Sequence, residues 1–104
     1  MSVLIYGVDN NSENFHTIAV SSEKSFYSIW QPLIDELGLK LIGDQRWLYK
    51  KDIKAIIKEF QELLDYAREN KHLYDITYHT EIIIANLEKN WDESVPNAER
   101  LWMG

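Results

Sequence analysis

The most regular stretch of the sequence is residues 50–70, KKDIKAIIKEFQELLDYAREN. Its apolar side chains recur at spacings of three and four residues, which places them on one side of an α-helix. They are Ile53, Ile56, Ile57, Phe60, Leu63, Leu64 and Ala67. The stretch therefore predicts a helix from about Lys50 to Asn70 that packs one face against a hydrophobic core.

Two strands are predicted before this helix. Residues 2–8 (SVLIYGV) are rich in β-branched and aromatic residues, and the turn-forming residues 9–12 follow them. Residues 16–20 (HTIAV) resume the same composition before Ser21-Ser22-Glu23, which is typical of a helix start. An antiparallel hairpin is the simplest connection between the two strands.

A first helix is predicted between these strands and Gly38, a residue type that often follows a helix end. Its apolar positions are Phe26, Ile29, Trp30, Leu33, Ile34 and Leu37. Pro32 lies inside this pattern, and a proline lacks a backbone donor and clashes with the carbonyl one turn earlier. Two alternatives stay open: one kinked helix, or two short pieces with Pro32 in the first turn of the second.

The rest of the chain gives weaker patterns. Residues 39–42 are compatible with a short strand, and residues 46–49 are interpreted as the approach to the long helix. Residues 75–91 alternate like a strand in part and repeat like a helix in part, but their length favours a helix, capped by Asp75. The tail after Asp92, with Pro96 and Trp102, is predicted to be a turn, with or without one helical turn.

Together these elements predict an α+β fold. It consists of an N-terminal β-hairpin, two long helices and one short or proline-kinked helix, with a single layer of sheet covered by helices. Residues 1–104 are predicted to form a single globular domain, because a chain of this length buries roughly two-thirds of its unfolded surface.

Composition excludes several classes of function. The chain has 17 Asp and Glu against 11 Lys and Arg, a net charge of −6, which disfavours nucleic acid and anionic membranes and suits a basic protein partner. It has no cysteine, so disulfides, thiolate metal sites and a cysteine nucleophile are excluded. The N-terminus lacks a basic targeting region, and no stretch approaches the roughly 18 apolar residues of a membrane-spanning helix. The expected location is the cytoplasm.

Charge is ordered along the long helix. The first half carries Lys50, Lys51, Lys54 and Lys58, and the second half carries Glu59, Glu62, Asp65 and Glu69. This order opposes the helix macrodipole, although charges matched to the dipole gain about 0.3–1 kcal/mol each. Three explanations stay open: a solvated face, pairing with charges on a neighbouring helix, or an acidic, aromatic surface of Glu62, Asp65, Tyr66 and Glu69 that docks a basic partner.

Tryptophan and tyrosine side chains are the other candidate contact residues, because both are enriched at binding hot spots. Trp30 lies on an apolar helix face and is predicted to be in the core. Trp47, beside Arg46, and Trp102, in the tail, are predicted to be exposed. The predicted partner-binding residues are Glu59, Glu62, Asp65, Tyr66, Glu69, Trp47 and Trp102.

No catalytic residue, metal or cofactor is predicted. His72, Asp75 and His79 have the spacing of ligands on one helix face, with Glu81 nearby, but surface histidines explain them better. The adjacent carboxylates at 35–36 and 92–93 diverge by about 100° on a helix and do not converge on a substrate. The four glycines form no phosphate-binding loop, and no nucleophile motif accompanies His16.

Three short segments carry a resemblance. Leu4-Ile5-Tyr6-Gly7, Asn14-Phe15 and Trp30-Gln31-Pro32-Leu33 resemble a small bacterial and phage family of uncharacterised proteins, over the first third of the chain. Gln31 stands where that family has arginine, and Ile34 stands where it has a second tryptophan. The resemblance implies a bacterial or phage origin. In size, acidity and lack of cysteine the chain also resembles bacterial toxin-immunity proteins.

Three functional hypotheses follow. The first is a non-catalytic immunity-type inhibitor that neutralises a basic toxin domain through the acidic, aromatic surface. The second is a self-associating structural or regulatory module, a homodimer in which the lysine and acidic halves of two long helices pair across a two-fold axis. The third is a small enzyme that uses His16, or His72 with His79.

Overall fold

A four-stranded antiparallel sheet forms one layer of the protein. The computed structural model describes residues 1–91, 95 and 97–104, and its strands are β1 (Ser2–Tyr6), β2 (Ile18–Ser22), β3 (Arg46–Tyr49) and β4 (Arg100–Met103). The strand order is β2–β1–β4–β3, and every neighbouring pair is antiparallel. The first and last strands of the chain therefore lie side by side in the centre of the sheet.

The connection between β1 and β2 is a compact turn. A short 3-10 segment, Asn10–Ser12, is held by the Ser12 hydroxyl, which accepts from the Asp9 N–H at 3.0 Å and donates to the Asp9 carbonyl at 2.9 Å. The backbone of Ser12 passes so close to Gly7 that a Cβ atom at Gly7 would lie 2.1 Å from the Ser12 carbonyl oxygen. Glycine is therefore required where β1 enters the turn.

Side chains along the strands alternate between a buried and an open face, as the two-residue period of a strand dictates. The buried face carries Val3, Ile5, Ile18, Val20, Leu48, Leu101 and Met103. The other face, which we call the open sheet face, carries Leu4, Tyr6, Trp47, Tyr49, Arg100 and Trp102, which are half-buried or exposed. The described helices cover the first of these faces.

Two long helices cover the buried face. α3 (Ile53–Glu69) contacts β3, α4 (Tyr74–Asn86) contacts β2, and the two helices pack against each other. The long helix predicted from residues 50–70 is confirmed, except that its first turn, Lys50–Asp52, is a 3-10 turn. Its predicted apolar stripe lies in the core, with Ile53 and Ile57 at the partly buried margin. The predicted α+β class, with one sheet layer covered by helices, is confirmed.

Residues 23–36 form one continuous helical run, and Pro32 lies in the first turn of its last piece. It consists of α1 (Glu23–Ser25), a π-helical segment (Phe26–Trp30) and α2 (Gln31–Glu36). The Gln31 N–H donates to the Phe26 carbonyl five residues earlier, and Pro32 lies in the first turn of α2. The wider π turn precedes the residue that cannot donate, so the predicted place of Pro32 in the first turn of a later piece is confirmed, but that piece continues the earlier ones without a break.

The helix predicted over residues 75–91 is confirmed, but its predicted cap is wrong. α4 continues into a π-helical segment, Leu87–Trp91. The helix begins one residue before Asp75, directly after the 3-10 turn Lys71–Leu73, and no described side chain caps its N-terminus. Asp75 lies in the first turn, where the negative charge of its carboxylate interacts favourably with the positive end of the helix dipole.

The short strand predicted over residues 39–42 is wrong, and residues 46–49 form a strand that was not predicted. Residues 39–42 form no strand; they are a loop anchored by the buried side chains of Leu39 and Ile42. Residues 46–49 lead into the long helix, as predicted, and they form β3. β3 exists because β4, more than fifty residues away, supplies its hydrogen bonds, with Trp47 opposite Trp102.

The prediction for the tail is also wrong. Residues 100–103 are β4, inserted between β1 and β3, and not a turn or a helical turn. Asp92 and Pro96 lie outside the described residues. A four-residue segment has no local signal strong enough to predict a strand, since its pairing partners lie elsewhere in the sequence.

Large aromatic side chains fill the core. The rings of Phe26 and Trp30 are stacked with their centroids 6.0 Å apart. Trp91 is 0% exposed, and its indole N–H donates to the Ala98 carbonyl at 2.9 Å. Burial of side chains of this size contributes about 1.5–3 kcal/mol each. Trp91 therefore joins the end of the helical layer to the segment that leads into β4.

Candidate functional site

The predicted acidic surface lies on the solvent side of α3. Glu62, Asp65 and Glu69 are exposed, and Tyr66 is half-buried at the edge of the core. Their spacings of three and four residues place them in one line along the helix, opposite the buried stripe. We call these four residues the acidic stripe.

The carboxylates of the acidic stripe have no cationic partner among the described residues. Asp65 accepts a hydrogen bond from the neutral amide of Gln61 at 2.9 Å. Ion pairs are found elsewhere, at Arg68–Glu81 and Arg100–Asp9. Lys54 and Lys58, on the first half of α3, also lie beyond ion-pair distance of the described carboxylates. Pairing with a neighbouring helix therefore does not explain the positions of Lys54, Lys58 and the carboxylates of the acidic stripe.

Glu59 has a different environment from the acidic stripe. Its carboxylate accepts the Leu41 N–H at 2.9 Å and the Lys40 N–H at 3.4 Å. These bonds tie the loop of residues 39–42 to α3 and satisfy two backbone donors that have no strand partner. Glu59 therefore stabilises the loop. Its position beside the other acidic residues of the helix had predicted it to be a partner-binding residue.

Trp47 and Trp102 meet on the open sheet face. They are directly opposite each other in the β3–β4 pair, with ring centroids 4.9 Å apart in an edge-to-face arrangement. Both are half-buried, so the prediction that they are exposed is only partly right. Each ring covers part of the other, which reduces the aromatic area available to a partner.

Arg100 organises the same face. Its guanidinium carbon lies 3.8 Å from the centroid of the Trp47 ring, and its Nε donates to the Asp9 carboxylate at 2.9 Å. The hydrogen bond from Arg100 holds the pKa of Asp9 below its ordinary value, against a smaller opposite effect of desolvation. Sequence reasoning missed this pair, because the two residues lie at opposite ends of the chain and share no local pattern.

The Asp9–Arg100 pair makes the stability of the fold change with pH in the acidic range. Folding lowers the pKa of Asp9. The ionised carboxylate therefore stabilises the fold fully above the pKa of an ordinary carboxyl group, and this stabilisation is lost as the pH falls through the pKa of Asp9 in the folded protein. We expect Asp9→Asn to lower the urea midpoint at about pH 7 and to have little effect near about pH 2. Glu13→Gln, at an exposed carboxylate, is the matched control. An equal loss at both pH values would contradict the assigned role of the ion pair.

The structure divides the predicted partner-binding residues between two surfaces. Trp47 and Trp102 belong to the open sheet face, whereas the acidic stripe lies on the outer side of α3, which covers the opposite face of the sheet. A single flat partner surface cannot contact both. The acidic stripe is therefore the candidate site, and the two tryptophans form a separate feature.

Two histidines line a groove of about 460 Å³ between β2 and α4. His16 comes from the edge of the sheet, and His79 comes from α4 beside Tyr78, with Asp75 at 3.6 Å from its Nε2. His72 is exposed and does not line this groove. Across the part of the chain that the structure describes, no three His, Asp or Glu side chains are grouped to hold a metal ion.

Comparison of the chain with protein-family models, curated proteins and solved structures found no match. Within residues 1–91, 95 and 97–104, no helix has the length and apolarity needed to cross a membrane. The candidate site therefore rests on the geometry and charge of its own residues.

Proposed function

We propose that this protein is a non-catalytic binding protein, an immunity-type inhibitor that neutralises a basic toxin domain. The toxin domain docks on the acidic stripe of α3. The observation that supports this proposal is the uncompensated charge of Glu62, Asp65 and Glu69, which are exposed and lack a cation among the described residues. A basic surface supplies the counter-charges that the fold does not.

The acidic stripe is also suited to fast and rigid recognition. α3 is fixed to the core by Ile56, Phe60, Leu63, Leu64 and Ala67, so little conformational entropy is lost when a partner binds the opposite side. Tyr66 adds an aromatic ring beside the carboxylates, and tyrosine is enriched at binding hot spots. The net charge of −6 attracts a basic domain from a distance and speeds encounter.

Inhibition of this kind needs no chemistry from the protein. The inhibitor covers the basic surface with which the toxin domain contacts its own substrate, in a one-to-one complex in the bacterial cytoplasm. Salt weakens such a complex, because exposed charges separated by more than about 10 Å are screened at an ionic strength near 0.1 M.

Neutralising the acidic stripe is expected to slow association. In the triple variant Glu62→Gln, Asp65→Asn, Glu69→Gln, the association rate constant with a basic partner should fall about tenfold or more at low salt, since steering supplies up to about 10³-fold. The partner is obtained by affinity capture from native cell extract and salt elution. Stopped-flow kinetics measures its association with each variant.

The matched control is Glu13→Gln, Glu36→Gln, Glu88→Gln, which removes the same charge from exposed positions outside the acidic stripe. It should leave the association rate within about twofold, because only local charges focus the field. Equal rates for the two triple variants would exclude the acidic stripe as the docking surface. A captured partner whose activity survives saturation by the protein would exclude the inhibitor function.

A further inference from the structure

The geometry points to a second copy of this chain as an occupant of the solvent side of α3. We infer that two α3 helices pair antiparallel across a two-fold axis that passes near the level of Phe60. The occupant is identified by charge: among the described residues, neither Lys54 and Lys58 on the first half of α3 nor the carboxylates of the acidic stripe on its second half have an ion-pair partner. In an antiparallel pair, the half of α3 that carries the lysines lies opposite the half of the second α3 that carries the carboxylates.

The positions of the charged residues satisfy this two-fold relation in register. Lys58 and Glu62 are equally distant from Phe60 along the chain, and so are Lys51 and Glu69. An α-helix turns about 100° per residue, so Lys51 and Glu69 also project in nearly the same direction. The pairs across the axis are Lys51–Glu69 and Lys58–Glu62, and Lys54 faces Asp65 with an offset of one residue; each pair is formed twice.

An apolar contact lies beside these charged pairs. Ala55 is exposed and Tyr66 is half-buried on the same margin of α3, and the antiparallel register places each within one residue of the position opposite the other in the second copy. The small side chain of Ala55 leaves room for the tyrosine ring. The pairing therefore has a non-polar component that does not depend on salt.

The contact predicts a weak and reversible dimer. It involves one helix of 17 residues from each copy, about 25 Å long, whereas stable complexes bury roughly 1,200–2,000 Å². Exposed ion pairs contribute little individually and are screened by salt. The dimer covers the acidic stripe, so a basic partner must displace it. The inference does not depend on the proposed function, because the pairing needs no other protein.

Sedimentation equilibrium of the purified chain tests this inference. At protein concentrations up to about 1 mM and ionic strength near 0.02 M, we expect a monomer–dimer equilibrium. Dimer affinity should fall about tenfold or more at 0.5 M.

Lys58→Glu should weaken the dimer at least about tenfold, because it places like charges opposite each other at two symmetric positions. Glu62→Lys should do the same. The double variant Lys58→Glu, Glu62→Lys should restore wild-type affinity to within about threefold, since the exchange preserves both pairs.

The matched control is Lys24→Glu, an equal charge change at an exposed residue of α1. It should leave the dimer unchanged, and circular dichroism checks that every variant is folded. A chain that stays monomeric at low salt overturns the inference, as does a dimer that Lys58→Glu leaves intact or that the double variant fails to restore. None of these outcomes bears on the proposed function, which is measured against a basic partner.

Discussion

Deleting residues 100–104 is expected to leave the protein unfolded. β4 pairs with both β1 and β3, and its Leu101 and Met103 side chains are 0% exposed. Leu4 and Gly104 also exchange two backbone hydrogen bonds, of 3.0 Å and 2.9 Å. Burial of the two side chains contributes about 1.5–3 kcal/mol each, a large part of the roughly 5–15 kcal/mol by which a folded domain is stable. The deletion also leaves the edges of β1 and β3 without their hydrogen-bond partners. Circular dichroism should show no cooperative thermal transition.

The matched control exchanges the two buried side chains of β4 without shortening the chain. Leu101→Met with Met103→Leu conserves volume and apolarity, so the loss should stay below about 1.5 kcal/mol for each substitution. The cooperative transition should survive in this variant. A shortened chain that keeps a native spectrum and a cooperative transition would contradict the central position of β4.

Trp91→Ala is expected to lower the free energy of unfolding by about 3–5 kcal/mol, a large share of the stability of a small domain. The side chain is 0% exposed and fills the space between the helical layer and the segment that leads into β4. Its indole N–H donates to the Ala98 carbonyl, so the substitution creates a cavity and also removes a buried hydrogen bond. Urea unfolding followed by circular dichroism measures the loss.

Two further variants separate the cavity from the hydrogen bond. Trp91→Phe keeps a six-membered ring but removes the donor and the five-membered ring, so it leaves a smaller cavity than Trp91→Ala and the expected loss is about 1–3 kcal/mol. Trp102→Ala removes an indole of the same size from the half-buried open sheet face, and it should cost less than Trp91→Ala. Equal losses for Trp91→Ala and Trp102→Ala would contradict the assignment of Trp91 to the core.

The helical layer could be predicted from local sequence. The apolar spacing in residues 50–70 defined α3 and its buried face, and length decided in favour of a helix over residues 75–91. β1 and β2 were also found, because β-branched residues are concentrated there and a turn cluster separates them. In each case the signal lies within one continuous segment.

The candidate site was only partly accessible from sequence. The order of charge along α3 was visible, but whether those charges have partners depends on which elements pack beside the helix. Glu59 was grouped with the acidic residues, although it bonds to the loop before β3. Trp47 and Trp102 were predicted together with the acidic stripe, and the register of the sheet places them on the open sheet face instead.

The sequence by itself determined the helices, the first hairpin, the acidic character and the line of carboxylates along α3, because these depend on residues close together in the chain. The tertiary structure decided the sheet order, the strands β3 and β4, and the Asp9–Arg100 pair. The physical reason is that a short strand needs hydrogen bonds to neighbouring strands, and an ion pair needs two charged side chains close together. Both conditions are met only when segments that are distant in the chain come together in the fold. The same proximity determines which carboxylates are left without a cation among the described residues, and so where the candidate site lies.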